Sequence, residues 1–160
     1  MPATWALHVC YGNRYARPSW EGHYDFLFPA VLRARVDQLV LEFARKGLED
    51  LYLIKEYGWP YQLGLGVIDV KSATVETAEL VAERIRRALE YIEPARLMIN
   101  PDCGLRHLEP EVARRKLRAM VSGAAIVRTE LGPDEPGGQQ QIPPPATGDS
   151  DSQPTGDSNG

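Results

Sequence analysis

The stretch LGLGVIDVKSATVETAELVAERIRRALEYIEPARLMIN, residues 63–100, decides the fold. It contains two apolar runs, 63–68 and 96–100, and each has the length of a buried β-strand. Between them, residues 75–92 place apolar side chains at three- and four-residue spacing, which predicts an amphipathic helix that ends before Pro94. A strand, a helix and a second strand in this order are typical of a parallel βαβ unit.

The same alternation extends on both sides of this stretch. Further strands are predicted at 5–10 and 38–42, and further helices at 25–36, about 48–56 and 110–127. The expected apolar stripe of the last helix contains Val112, Leu117, Met120, Val121 and Ala124. Four apolar strands that alternate with helices favour an α/β fold with a parallel sheet and four βα units.

Composition separates a domain from a tail. Residues 133–160 are rich in Pro, Gly, Ser, Gln and Asp, so we expect a disordered tail after a domain at 1–132. The tail holds five of the 22 acidic residues and no Lys or Arg, so 1–132 carries 17 acidic and 18 basic residues. This balance argues against a nucleic-acid partner. The sequence has neither a membrane-spanning run nor a signal segment, which predicts a cytoplasmic protein without a membrane partner.

Borderline and soft metal ligands stand at three of the predicted strand ends. His8 and Cys10 end the first strand, Glu42 ends the second, and Cys103 follows the fourth. The carboxyl ends of parallel strands meet at one edge of a sheet, and residues i and i+2 share a face, so these side chains should converge. An imidazole, a carboxylate and two thiolates make a four-ligand set for Zn²⁺, which can bind and activate a thiol. Asp69, at the third strand end, is expected to contact the substrate or a ligand.

Each candidate also has a structural interpretation. A single buried Cys usually packs as a small apolar side chain, and a single His as a satisfied polar group. A structural zinc site is a further alternative, although such sites usually use paired CxxC segments, which are absent here. Asn100 and Asp102 either orient Cys103 through hydrogen bonds or simply form the turn after the strand.

The segments around these residues resemble a known family. In order, they are HVCYGN (8–13), LVLEFAR (39–45), LGLGVIDVKS (63–72) and RLMINPDCGL (96–105). They are similar to the catalytic domain of cobalamin-independent methionine synthase and its shorter relatives, over about residues 5–130. The resemblance implies a zinc-dependent methyltransferase that acts on a thiol such as homocysteine. It also implies that the zinc ligands are His8, Cys10, Glu42 and Cys103.

The chain departs from this family in length. The resemblance implies a (β/α)8 TIM barrel, which needs eight strands and typically about 250 residues. The four predicted βα units correspond to the C-terminal half of such a barrel. Because an isolated half leaves an open sheet edge, we expect either a truncated product or a second chain or self-association that completes the barrel. A catalytically silent zinc-binding half-barrel is the alternative to an enzyme.

The second departure concerns the alkyl donor. Full-length synthases carry Asp-x-His-Ser after the third of these strands, and the His is thought to protonate the departing folate. Here the segment is Asp69-Val70-Lys71-Ser72, so the resemblance makes Asp69 and Lys71 the candidate catalytic residues. Lys71 could deliver a proton if zinc and burial depressed its pKa. The change favours, as an alternative, alkyl transfer to another small thiol of the epoxyalkane:coenzyme M transferase type.

Overall fold

The computed structural model describes residues 3–132, and within that range it contains a sheet of four parallel strands in sequential order. They are β1 (Ala6–Val9), β2 (Gln38–Leu41), β3 (Gln62–Ile68) and β4 (Leu97–Pro101). All four lie where the apolar runs predicted them, so the α/β class and the four parallel strands are confirmed. The predicted disordered tail at 133–160 lies outside the described residues.

Three α-helices accompany the sheet in the described residues: α1 (Tyr52–Glu56), α2 (Ala78–Leu89) and α3 (Pro110–Leu131). The helix α2 begins later than predicted because the Thr77 hydroxyl accepts the N–H of Leu80 and caps it. The helix α3 begins at Pro110 and continues beyond the predicted end at 127. Between residues 3 and 132, no helix has the length and apolar character needed to cross a bilayer.

The helix predicted at 25–36 is wrong. The segment forms two short 3₁₀ turns, Tyr24–Leu27 and Ala30–Arg33. Between them, Phe28 has an extended backbone at φ −94° and ψ 143°. Pro29 explains the break, because proline lacks an N–H and disfavours helical geometry in the residue before it.

The apolar stripe predicted for α3 is only partly right. Val121 is 64% exposed, whereas α3 buries Lys116, Gly123 and Val127. A Cβ at Gly123 would lie 2.6 Å from the Ala78 carbonyl oxygen, so this glycine permits the close approach of α2 and α3. The buried face of α3 is therefore rotated from the face that the sequence indicated.

The two faces of the sheet differ in burial. One face carries leucines with no exposed surface, including Leu39, Leu63 and Leu65. The opposite face carries a row that the strand register aligns across all four strands: His8, Val40, Gly64 and Met98. Because Val9 pairs with Leu41, the next row toward the carboxyl ends begins with Cys10 and Glu42. The register therefore brings the predicted ligands to one edge of this second face.

Candidate metal centre

Three side chains that could bind a metal form a cluster at the carboxyl ends of the strands: His8, Cys10 and Cys103. One ligand atom of each lies within 4.8 Å of the other two, and the Sγ atoms of Cys10 and Cys103 are 3.8 Å apart. The first two share a face because they are two positions apart, whereas Cys103 comes from the loop after β4. The structure thus brings together three of the four predicted ligands.

The spacing of this cluster fits zinc. Two Zn–S bonds of about 2.3 Å at a tetrahedral angle place the sulfurs about 3.8 Å apart. The two Sγ atoms are separated by 3.8 Å, and both cysteines are free. Cys sulfur and His nitrogen are donors that Zn²⁺ prefers. The residues present therefore suit a zinc ion held by His8, Cys10 and Cys103.

Burial controls the protonation of two of these donors. It lowers the pKa of His8, while the nearby Glu42 carboxylate opposes the change. The neutral imidazole, the form that binds a metal, is favoured as a result. Burial also raises the pKa of the Cys10 thiol, against an opposing hydrogen bond with the Gly12 backbone. Cys10 therefore needs a neighbouring cation to ionise near neutral pH.

Glu42, the fourth predicted ligand, has other partners. Its carboxylate is fully buried and lies outside the three-residue cluster. The Lys71 Nζ donates to both of its oxygens, at 2.8 and 2.7 Å, and the Arg45 Nε donates to Oε1 at 3.1 Å. Glu42 is thus an ion-pair partner in this structure, and its role as a zinc ligand stays a prediction.

Asp102 positions the loop that carries Cys103. Its Oδ1 accepts the N–H groups of Phe43 and Ala44, at 3.1 and 2.9 Å, and its Oδ2 accepts that of Arg45 at 3.1 Å. These bonds tie the loop after β4 to the segment that follows β2. Burial raises the pKa of Asp102 to about 7, although the three N–H groups favour its ionised form. The structure therefore supports an orienting role for Asp102.

Asp69 and Lys71, the predicted catalytic residues, lie on the loop between β3 and α2. The Asp69 Oδ1 accepts the Lys71 N–H at 2.8 Å, so this carboxylate shapes the loop. The Lys71 ammonium is directed to Glu42, with 4% of its side chain exposed. Their catalytic roles stay predictions.

A second buried ion pair, which the sequence analysis missed, fixes the same loop. The Lys116 Nζ donates to Glu76 Oε2 at 2.8 Å, to the Asp69 carbonyl at 3.0 Å and to the Thr74 carbonyl. The side chains of Lys116 and Glu76 are 0% and 6% exposed. The burial of Lys116 could have been predicted from helical spacing, because Lys116 stands four residues before Met120 and so lies on the apolar side of α3.

The chain is similar to known proteins in sequence and in fold. Residues 3–126 match the profile of the family described as "Cobalamin-independent synthase, Catalytic domain". A methionine synthase of Saccharolobus islandicus is 42% identical over 129 residues, which cover 81% of this chain and 36% of the relative. One from Thermococcus kodakarensis is 44% identical over 125 residues, which cover 78% and 34%.

A solved structure is also similar to this chain in its architecture. The B12-independent methionine synthase of a Shewanella species, in complex with selenomethionine, matches with a TM-score of 0.71 and 31% identity. The match covers 82% of this chain and 40% of that chain, and the four strands correspond to half of its TIM barrel. The chain spans about a third of the length of the curated relatives named above. Its sequence and its fold both show that it belongs to the cobalamin-independent methionine synthase family, within the catalytic domain.

Proposed function

We propose that this chain carries the zinc centre of a methyltransferase that moves a methyl group to a thiol such as homocysteine. The observation that carries the proposal is the cluster of His8, Cys10 and Cys103, whose ligand atoms lie within 4.8 Å of one another. The cluster stands at the carboxyl edge of a parallel sheet, where barrels of this kind have their active sites. Membership of the family supports the same chemistry.

The reaction replaces one bond of the methyl carbon with another. The thiolate sulfur forms a bond to that carbon, while the bond from the carbon to the donor breaks and its electron pair leaves with the donor. Zinc bound by His8, Cys10 and Cys103 would supply the positive charge that ionises the incoming thiol near neutral pH. Asp102 contributes by holding the Cys103 loop against the segment after β2.

The position of Lys71 favours a second candidate for the alkyl donor. The ground for it is the segment Asp69-Val70-Lys71-Ser72, which stands where full-length synthases have Asp-x-His-Ser. Alkyl transfer from an electrophile such as an epoxide to another small thiol is the alternative. Both donors leave a group that must be protonated, a nitrogen in the folate and an alkoxide oxygen in the epoxide, and the Lys71 ammonium is bound to both oxygens of Glu42. Comparing turnover of homocysteine and methyl-folate with turnover of coenzyme M and an epoxide separates the two.

The chain matches only part of the length of its relatives, and this bears on whether it is active by itself. The matched region is 36% of the Saccharolobus islandicus protein, so we propose that much of the thiol and donor site lies outside this region, and that a second chain or a second copy supplies it where this half-barrel acts by itself. A zinc-binding half-barrel that is silent by itself is the corresponding alternative. Turnover by the purified chain alone would contradict that alternative, whereas a cross-linked partner restoring turnover would support it.

The first experiment measures zinc per chain in protein purified without added metal. The wild type should hold about one zinc, and His8→Ala and Cys103→Ser should lose most of it because each removes one donor. His23→Ala is the matched control, since His23 is exposed, is bound to Asp50 at 2.9 Å and is not a member of the cluster. Folded wild-type protein without zinc, or equal zinc in all four proteins, would contradict the proposal.

A further inference from the structure

A single guanidinium binds two backbone segments at the carboxyl edge of the sheet. Arg84 lies on α2, and its side chain is 17% exposed. Its Nη1 donates to the Val67 carbonyl at 2.7 Å, and its Nη2 donates to the Ala44 carbonyl at 3.1 Å. Val67 belongs to β3, whereas Ala44 lies in the segment after β2. Because the guanidinium nitrogens have a fixed planar arrangement, the two hydrogen bonds fix the distance between these segments.

The Val67 carbonyl lies in an irregular part of the sheet. The register of β3 and β4 shifts by one residue at Val67, which forms a bulge. A bulge disrupts the hydrogen-bond ladder locally and bends the strand that contains it. Next to this bulge, β4 ends at Pro101, and the loop with Cys103 follows. Arg84 therefore binds the backbone at the point where the Cys103 loop leaves the regular sheet.

The Ala44 carbonyl connects Arg84 to the same loop by a second route. It belongs to one peptide unit with the Arg45 N–H, which donates to Asp102 Oδ2 at 3.1 Å. The guanidinium of Arg84 and the carboxyl group of Asp102 thus hold opposite ends of one peptide dipole. Hydrogen bonds in such a chain polarise and strengthen one another. Since Asp102 directly precedes Cys103, the chain of bonds runs from α2 to the Cys103 loop.

We infer that Arg84 is a positioning residue that sets the distance of Cys103 from the proposed ligands on β1. The inference rests on the proposed zinc function and deepens it, because it gives α2 a part in building the metal centre. Arg84 is not a member of the cluster, and it binds the two carbonyls and, at 3.9 Å, the Glu76 carboxylate. Its effect on the cluster therefore passes through the backbone.

The first test measures how closely Cys10 and Cys103 are held in the metal-free full chain. Their Sγ atoms are 3.8 Å apart, so oxidised glutathione should convert them to an internal disulfide, with release of two molecules of reduced glutathione. The equilibrium constant of this exchange gives the effective concentration of one thiol at the other. Arg84→Met should lower that concentration at least about tenfold, because the Cys103 loop loses the support of both carbonyl contacts.

The second test uses Co²⁺ alone as a spectroscopic probe in place of zinc. Its d–d bands and its sulfur-to-metal charge-transfer bands report the number and arrangement of the bound sulfurs. In Arg84→Met these bands should shift or weaken, and the Co²⁺ dissociation constant should rise about tenfold or more.

Three variants separate positioning from charge and stability. Arg87→Met makes the same change on α2 at a side chain that is 56% exposed, so both readouts should stay within about twofold. Thr77→Ala weakens α2 at its cap without touching the two carbonyls, so the effective thiol concentration should also stay within about twofold. Arg84→Lys keeps the charge but lacks the planar fork, so it should lose at least about threefold; it serves if urea denaturation shows that Arg84→Met does not fold.

The outcomes distinguish this inference from the proposed function. Losses in Arg84→Met, with wild-type values in Arg87→Met and Thr77→Ala, support both. An unchanged thiol concentration in folded Arg84→Met, an equal loss in Thr77→Ala, or a wild type that forms no internal disulfide overturns the inference. Folded proteins that bind neither Co²⁺ nor zinc overturn the proposed function, and the thiol measurement then still decides whether Arg84 positions Cys103.

Discussion

Replacing Lys116 with methionine should destabilise the fold strongly. Lys116 is fully buried, and its ammonium has three acceptors: the Glu76 carboxylate and the carbonyls of Asp69 and Thr74. Methionine fills a similar volume, so the change removes the charge and its hydrogen bonds without opening a large cavity. The Glu76 carboxylate then remains buried without its closest cation.

The size of the loss in unfolding free energy depends on the contacts that the Glu76 carboxylate keeps. Removing one partner of a buried ion pair costs about 3–5 kcal/mol. Glu76 keeps the Asp69 N–H at 2.8 Å and the Arg84 guanidinium at 3.9 Å, and these contacts partly compensate its charge. We therefore expect a loss near the lower limit, about 3 kcal/mol of unfolding free energy.

Urea denaturation of the full chain measures this loss. Adding Glu76→Gln to Lys116→Met removes the stranded charge, so the double variant should recover about 1–2 kcal/mol relative to the sum of the single losses. Lys55→Met, at an exposed position of α1, should change stability by less than about 0.5 kcal/mol. A loss below about 1 kcal/mol for Lys116→Met, or strictly additive losses, would refute the reasoning.

Two further changes probe the elements that carry the site. A Cβ at Gly66 would collide with the Asp102 carboxylate, so Gly66→Ala should cost about 1–3 kcal/mol in urea denaturation. Gly104→Ala is the control, because a Cβ there meets nothing within 4 Å; an equal loss at both positions would contradict the steric explanation. Thr77→Ala removes the cap on the Leu80 N–H and should lower stability by about 1 kcal/mol, whereas Thr77→Ser keeps the hydroxyl. Equal losses from the two Thr77 variants would show that the hydroxyl does not act as a cap.

The convergence of three of the proposed metal ligands could be predicted because it depends on local pattern. An apolar run locates β1, and strand alternation then places His8 and Cys10 on one face. Cys103 follows the next recognisable strand end, and parallel strands bring such ends to the same edge. Sheet geometry then brings the three side chains together, so the prediction does not depend on knowing any long-range side-chain contact.

The surroundings of Glu42 could not be predicted in this way. Arg45 is a local partner, but the closer cation is Lys71, 29 residues later on a loop, and loops have no periodicity that reveals where a side chain points. The segment 25–36 failed for a different reason. Its apolar spacing suggested a helix, but the conformational restriction of Pro29 overrides spacing.

The two buried ion pairs form one structural path across the domain. Lys116 on α3 holds Glu76, Glu76 accepts the Asp69 N–H, and the Asp69 carboxylate accepts the Lys71 N–H. The Lys71 ammonium in turn donates to the carboxylate of Glu42, at the same strand ends as the proposed metal ligands. Buried ion pairs contribute little net stability compared with apolar packing. Stability alone therefore does not explain why the loop between β3 and α2 takes part in two such pairs. Orientation of the Lys71 ammonium does explain them. Apolar contacts could fix the shape of the loop, but only the ion pair with Glu42 fixes the direction of the charged group.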